Sequence, residues 1–191
     1  MPELAEPGKI ILLHGASSSG KTTLSRVLQR LLEPPFFHFS IDVLREGGAL
    51  PMERIAEGKP AWAALRTSFF DGFHRCIPAL AAAGNNLIVE HIIESQEWMD
   101  RLVELLAPYD GFFVVLDCPL AVLEERERAR GDRQIGEART DFQALPTFET
   151  FDLALDSTEP IEQNARRIIS SWEARRGPTA FARMAEGGGD R

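Results

Sequence analysis

Of the 191 residues only two are cysteine, Cys76 and Cys118, and each lies in an apolar stretch. That scarcity argues against a disulfide framework and a cysteine-built metal site, and predicts two reduced, buried thiols. Cations are also in short supply. Lys and Arg number 21 against 29 Asp and Glu, a net charge of -8, which argues against a broad nucleic-acid surface because backbone binding relies on clustered cations. Arginines can still cluster locally. The chain has no apolar run long enough for a membrane span or a signal peptide, and its acidic first nine residues carry Pro and Gly, so the expected location is the cytoplasm, with no membrane partner. Repeats and an interdomain linker are missing too. What is there, 44% hydrophobic and 26% charged residues, is an ordinary globular composition at a length that suits one domain. The expected division is an N-terminal extension 1–8, one domain 9–173 and a flexible tail 174–191.

Short apolar blocks alternate with amphipathic stretches, as in βαβ units whose parallel sheet is covered on both faces. Strands are expected at 10–14, 36–40, 87–91, 112–117 and about 153–156, each blocked rather than alternating, which suits two-sided burial. Between them, apolar residues at 24, 27, 28, 31 and 32 predict a helix over 21–32, stopped by Pro34 and Pro35. Trp62, Leu65, Phe69, Phe73, Cys76 and Leu80 recur at steps of three or four and predict a helix over 61–83, kinked at Pro78, with the aromatics in the core. Ser95 is positioned to cap a helix carrying Trp98, Leu102 and Leu105, Pro119 to open one ending at Arg130, and 161–172 reads as the last. From Arg175 on, with Gly187-Gly188-Gly189, the chain is expected to fray.

Gly15-Ala16-Ser17-Ser18-Ser19-Gly20-Lys21-Thr22 fits G-x-x-x-x-G-K-[ST], directly after a predicted strand and opening a predicted helix, the context that this pattern requires. Such a loop curls backbone N–H groups around phosphates, and the helix behind it adds the positive end of its dipole. In that role Lys21 reaches the β- and γ-phosphates and the Thr22 hydroxyl ligates Mg²⁺, with Thr23 as the alternative hydroxyl.

Ligands of open parallel sheets gather at the carboxyl ends of the strands, which singles out Asp42, Glu90 and Asp117 among the acids. Asp42, two residues after the second strand, is either a base for an attacking hydroxyl or a cap for the turn 43–46. Glu90 ends an apolar strand, where a carboxylate has reason to sit if it holds Mg²⁺ through water or contacts a substrate. His91 beside it either touches substrate or satisfies a buried carbonyl, and Asp117 reads as a structural cap. Arginines at 126, 128, 130 and 133 fall in an otherwise acidic chain, Arg126 and Arg130 on one helix face. They are either a solvated Glu/Arg face or, given the glycines at 131 and 136, a mobile lid over about 126–147 that closes on phosphates.

These residues together resemble the chloramphenicol phosphotransferase family of P-loop kinases, over about 9–172. The resemblance rests on the Ser17-Ser18-Ser19-Gly20-Lys21 core, Phe39-Ser40-Ile41-Asp42, the string from Arg126 to Arg133 with Gly136 and Ala138, and the final Phe151-Asp152-Leu153-Ala154-Leu155-Asp156-Ser157-Thr158. It implies a three-layer, nucleoside-kinase-like fold with strand order 2-3-1-4-5, ATP and Mg²⁺ as cosubstrates, Asp42 as base, and Arg130 and Arg133 near the phosphates, with Arg126 toward the nucleotide. The implied activity is transfer of a γ-phosphate to a hydroxyl of a small molecule. Where the chloramphenicol-modifying member has paired aspartates after the third strand, this chain has Glu90-His91. A nucleotide sugar or a nucleic-acid end remains an alternative acceptor. A nucleotide-binding switch with no acceptor remains an alternative function.

Overall fold

The computed structural model describes residues 6–59, 61–130 and 135–188. Five parallel strands, β1 (Ile10–His14), β2 (Phe36–Ser40), β3 (Asn86–His91), β4 (Gly111–Asp117) and β5 (Leu153–Asp156), lie in the order β2-β3-β1-β4-β5. The expected topology is present. Its order follows from right-handed crossovers: the chain steps from β1 outward to β2, returns through β3, and then fills the other side.

Both faces of the sheet are covered, and the two-residue period of the strands sorts their side chains between them. Ile11 and Leu13 of β1 pack on one layer with Leu24 and Leu28 of α1 (Lys21–Leu31) and Ile168 of α8 (Ile161–Ala174). Ile10 and Leu12 face the other, with Phe73 and Ile77 of α4 (Trp62–Ala82) and Leu102 of α5 (Gln96–Leu106). The short helices α2 (Ile41–Glu46) and α3 (Met52–Ala56) follow β2, and α6 (Leu120–Arg130) and α7 (Glu137–Ala144) lie between β4 and β5. Among the described residues no helix is long and apolar enough to cross a membrane.

Two expectations need correction. Within the segment expected to fray, 180–187 form α9 (Ala180–Gly187), started by Thr179, whose Oγ1 accepts the Ala182 N–H at 3.0 Å, while 189–191 lie outside the described residues. Phe181 of that helix is 0% exposed and packs with Phe113. The helix expected over 61–83 is α4, with Pro78 inside it. Of the two free thiols only Cys118 is buried, while Cys76 is exposed on α4. Ser95 caps α5 as expected, accepting the Trp98 N–H.

Candidate active site

The carboxyl ends of β1, β2 and β3 open onto a cavity of about 830 Å³. Its floor is the turn between β1 and α1. Ser18 and Gly20 take left-handed backbone conformations, φ 63° and 94°, which turn successive N–H groups inward as an anion nest requires. Gly15 is dictated by space, since a Cβ there would stand 2.9 Å from both the Leu116 carbonyl oxygen and Ser19 Oγ. Lys21 Nζ donates to the carbonyls of Gly15 and Ala16, both at 2.8 Å, and so is folded onto its own loop. The sequence offered no sign of a second contact: Asp141 of α7 accepts the Ser17 N–H through Oδ2 at 3.1 Å. An acidic side chain therefore reaches the loop that the pattern assigns to phosphate.

Thr22 and Glu90 are brought together across α1 and β3. Thr22 Oγ1 donates to Glu90 Oε2 at 2.9 Å, and His38 Nε2 of β2 lies directly against Glu90 Oε1. Glu90 is 7% exposed. Burial pushes its carboxyl up, but the contacts with His38 and Thr22 and the charge of Lys21 outweigh burial and hold it below its ordinary value. Thr22 and Glu90 are hard oxygen donors side by side, a fitting pair for Mg²⁺, which is commonly held by one or two such groups together with substrate phosphates. Among the described residues no cluster of three or more His, Cys, Asp or Glu makes a metal site by itself. Asp42 sits in the first turn of α2 on the cavity wall, 43% exposed, with Arg45 Nη1 at 3.8 Å from Oδ1. The cap of that turn is Ser40, whose hydroxyl accepts the Val43 N–H at 3.1 Å. Asp42 is thereby relieved of the capping role.

The arginine string divides. Arg126 Nη2 donates to the Ser157 carbonyl at 2.7 Å and its Nη1 to Ser157 Oγ at 3.3 Å, tying the loop after β5 to the nucleotide loop. Arg126 and Arg130 both line the cavity, as their shared helix face predicts, whereas Arg133 lies outside the described residues. Between the two, Glu127 turns inward and accepts the Gly136 and Ala138 N–H groups at 2.8 Å each, which holds its carboxyl low and fixes α7 against α6.

The far wall of the cavity is aromatic. Trp62, Arg66 and Phe70 of α4 line it with His91 and Glu94, so Trp62, expected in the core, borders the cavity instead. Arg66 stacks 4.9 Å from the rings of both Phe70 and Trp98 and pairs with Glu94. Behind this wall His91 Nε2 meets His74 Nε2 at 2.8 Å, and the Ile93 N–H donates to His14 Nδ1 at 3.1 Å. His91 thus makes its hydrogen bond to His74 while still lining the cavity. Burial pushes His14 down to about 3, His74 down to about 4 and His91 well below the usual histidine value.

The sequence profile described as chloramphenicol phosphotransferase-like protein matches residues 8–173. The chain belongs to that family. A protein of Mycobacterium tuberculosis strain H37Rv, provisionally named an O-phosphotransferase, is 32% identical over 209 residues, covering 96% of this chain and 89% of its own. Among solved structures the fold is similar to the Mycobacterium tuberculosis APS kinase in complex with AMPPNP and APS, at TM-score 0.66 and 24% identity over 88% of this chain and 99% of that one. It is also similar to a gluconokinase from Sinorhizobium meliloti, at TM-score 0.62 and 21% identity over 96% of each. Family and fold together make the chain a phosphotransferase of the P-loop kinase class.

Proposed function

We propose that the chain is an ATP- and Mg²⁺-dependent kinase that phosphorylates a hydroxyl of a small molecule. The observation that carries this reading is one cavity joining the nucleotide loop, the Thr22–Glu90 pair and the unburied Asp42 carboxylate. A switch needs the first two but has no use for the third. The acceptor hydroxyl enters along the aromatic wall and gives its proton to Asp42 as its oxygen bonds to the γ-phosphorus. The bond from that phosphorus to the β–γ bridging oxygen breaks, and ADP leaves with the electron pair. Lys21, Arg126 and Arg130 oppose the charge that develops, in a site whose α7 cover keeps water from taking the phosphoryl group. A bound Mg²⁺ would supply charge neutralisation at the phosphates, with Thr22 and Glu90 as its protein side.

Support for ATP as donor and a small-molecule acceptor comes from outside the chain as well. The similar APS kinase was solved with AMPPNP and APS, and the curated relative is named for O-phosphoryl transfer. The test is nucleotide consumption by the native protein and Asp42→Asn against a hydroxyl-bearing library that includes chloramphenicol, with products weighed by mass spectrometry. The expected result is a product heavier by one phosphoryl group, lost in the variant by about 10²-fold or more. Tight ATP binding by both proteins with no product from either overturns the kinase reading in favour of a switch.

A further inference from the structure

His38 stands in the middle of β2, and its part in the site depends on a neighbour 52 positions away, Glu90 of β3. The parallel register sets Ser40 opposite Glu90 and His38 opposite Ile88, so His38 reaches diagonally along the sheet to the carboxylate. His38 is 14% exposed and Glu90 7%. His38 Nε2 stands in ion-pair contact with Glu90 Oε1, although neither atom completes an aligned hydrogen bond. The second carboxylate oxygen accepts the Thr22 hydroxyl. Residues from β2, β3 and α1 therefore form one line that ends at the nucleotide loop.

We propose that His38 is a positioning residue for the metal of the nucleotide, acting through Glu90 on Thr22. A threonine hydroxyl has one proton and two lone pairs and turns freely about its Cβ–Oγ bond. With the proton committed to Glu90 Oε2, the lone pairs face away from the strand and are available to a cation. That commitment holds only while the carboxylate keeps its orientation, and the terminal torsion of a glutamate is intrinsically broad. His38 removes that freedom by taking the other oxygen. Lys21 acts on Glu90 through charge alone, since its ammonium group is tied to the loop carbonyls. The inference rests on the reading of Thr22 and Glu90 as the cation's protein side.

The competing account is that His38 does no more than satisfy a buried carboxylate. The two accounts part on the Mg²⁺ dependence of nucleotide binding. Calorimetric titration of the native protein with the β,γ-imido analogue of ATP, once with MgCl₂ and once with EDTA, should show tighter binding with Mg²⁺. In His38→Leu that gain should fall about tenfold, as expected for the loss of one buried charged contact, with affinity in EDTA unchanged. His38→Gln places an amide N–H near the same oxygen and should keep the gain. His38→Asn is one methylene shorter and should lose it, so the Gln and Asn pair decides the matter even where the Leu variant does not fold. Equal weakening with and without Mg²⁺, a gain kept in Leu and Asn, or a gain lost in Gln overturns the proposal. A native protein that binds the analogue no better with Mg²⁺ takes down the cation reading of Thr22 and Glu90 first, and the role of His38 with it.

Discussion

Asp141 reaches the nucleotide loop from α7 and accepts the Ser17 N–H, so a carboxylate oxygen stands where the loop is built to receive an anion. A nucleotide entering the cradle meets a like charge there, and the cradle N–H must be released before it can turn to phosphate. Two unit charges about 4 Å apart repel by roughly 1 kcal/mol in bulk water and by more where solvent is thin. Asp141→Asn keeps the shape and an accepting oxygen but removes the charge. It should therefore tighten Mg²⁺-free ATP binding by about three- to tenfold, as read by calorimetry at low salt, with the difference shrinking as salt is added. Weaker binding in the variant would mean that Asp141 helps to hold the nucleotide rather than competing with it.

At the scale of elements, α9 is the part whose removal reports most clearly on how the sheet is braced. Phe181 fills the space above Gly111, where a Cβ would stand 3.0 Å from its ring, and Asp152 accepts the N–H groups of Phe113 and Ala180 at 2.8 and 3.1 Å. Arg183 closes the group by donating to the Phe151 carbonyl at 2.8 Å. Phe181→Ala should thus cost about 3–5 kcal/mol in urea unfolding, and a loss under about 1 kcal/mol would show that α9 is an ornament on the sheet. Nothing in the sequence advertised this helix, because its eight residues sit between Gly177-Pro178 and a glycine run and give one amphipathic turn too few to stand out. The strands were legible for the opposite reason: two-sided burial writes 10–13 and 112–116 as unbroken apolar blocks. The nucleotide loop was legible because its contacts are local in sequence. Partners set by strand adjacency were not. His38 meets Glu90, and Asp141 meets Ser17 at a separation of 124 residues, only after the sheet order has been fixed.

The whole molecule carries three buried histidines on the side of the sheet that faces α4 and α5, and their summed effect governs stability in mild acid. His74 titrates at about 4 in the folded chain and His14 at about 3, against an ordinary value near 6.5, and His91 lies well below 6.5 too. Burial is the chief cause in each. In the window from 6.5 down to about 4 the unfolded chain therefore takes up protons that the folded chain refuses. Stability is present in full above pH 6.5 and is lost as pH falls through that window, at up to roughly 3 to 4 kcal/mol per pH unit for two to three protons. Net charge pulls the other way. At -8 the chain repels itself at pH 7, and acid brings it toward neutrality near its isoelectric point of about 5.1, which relieves that repulsion. The two effects have opposite signs over the same range, so a urea midpoint measured at pH 7, 6 and 5 separates them. A midpoint that drops steadily identifies the histidines as dominant, and His74→Phe, which keeps a ring beside Trp98 and removes one titrating group, should flatten the drop by about a third. A midpoint that holds or rises toward pH 5 would mean that relief of charge repulsion matches or outweighs the buried histidines.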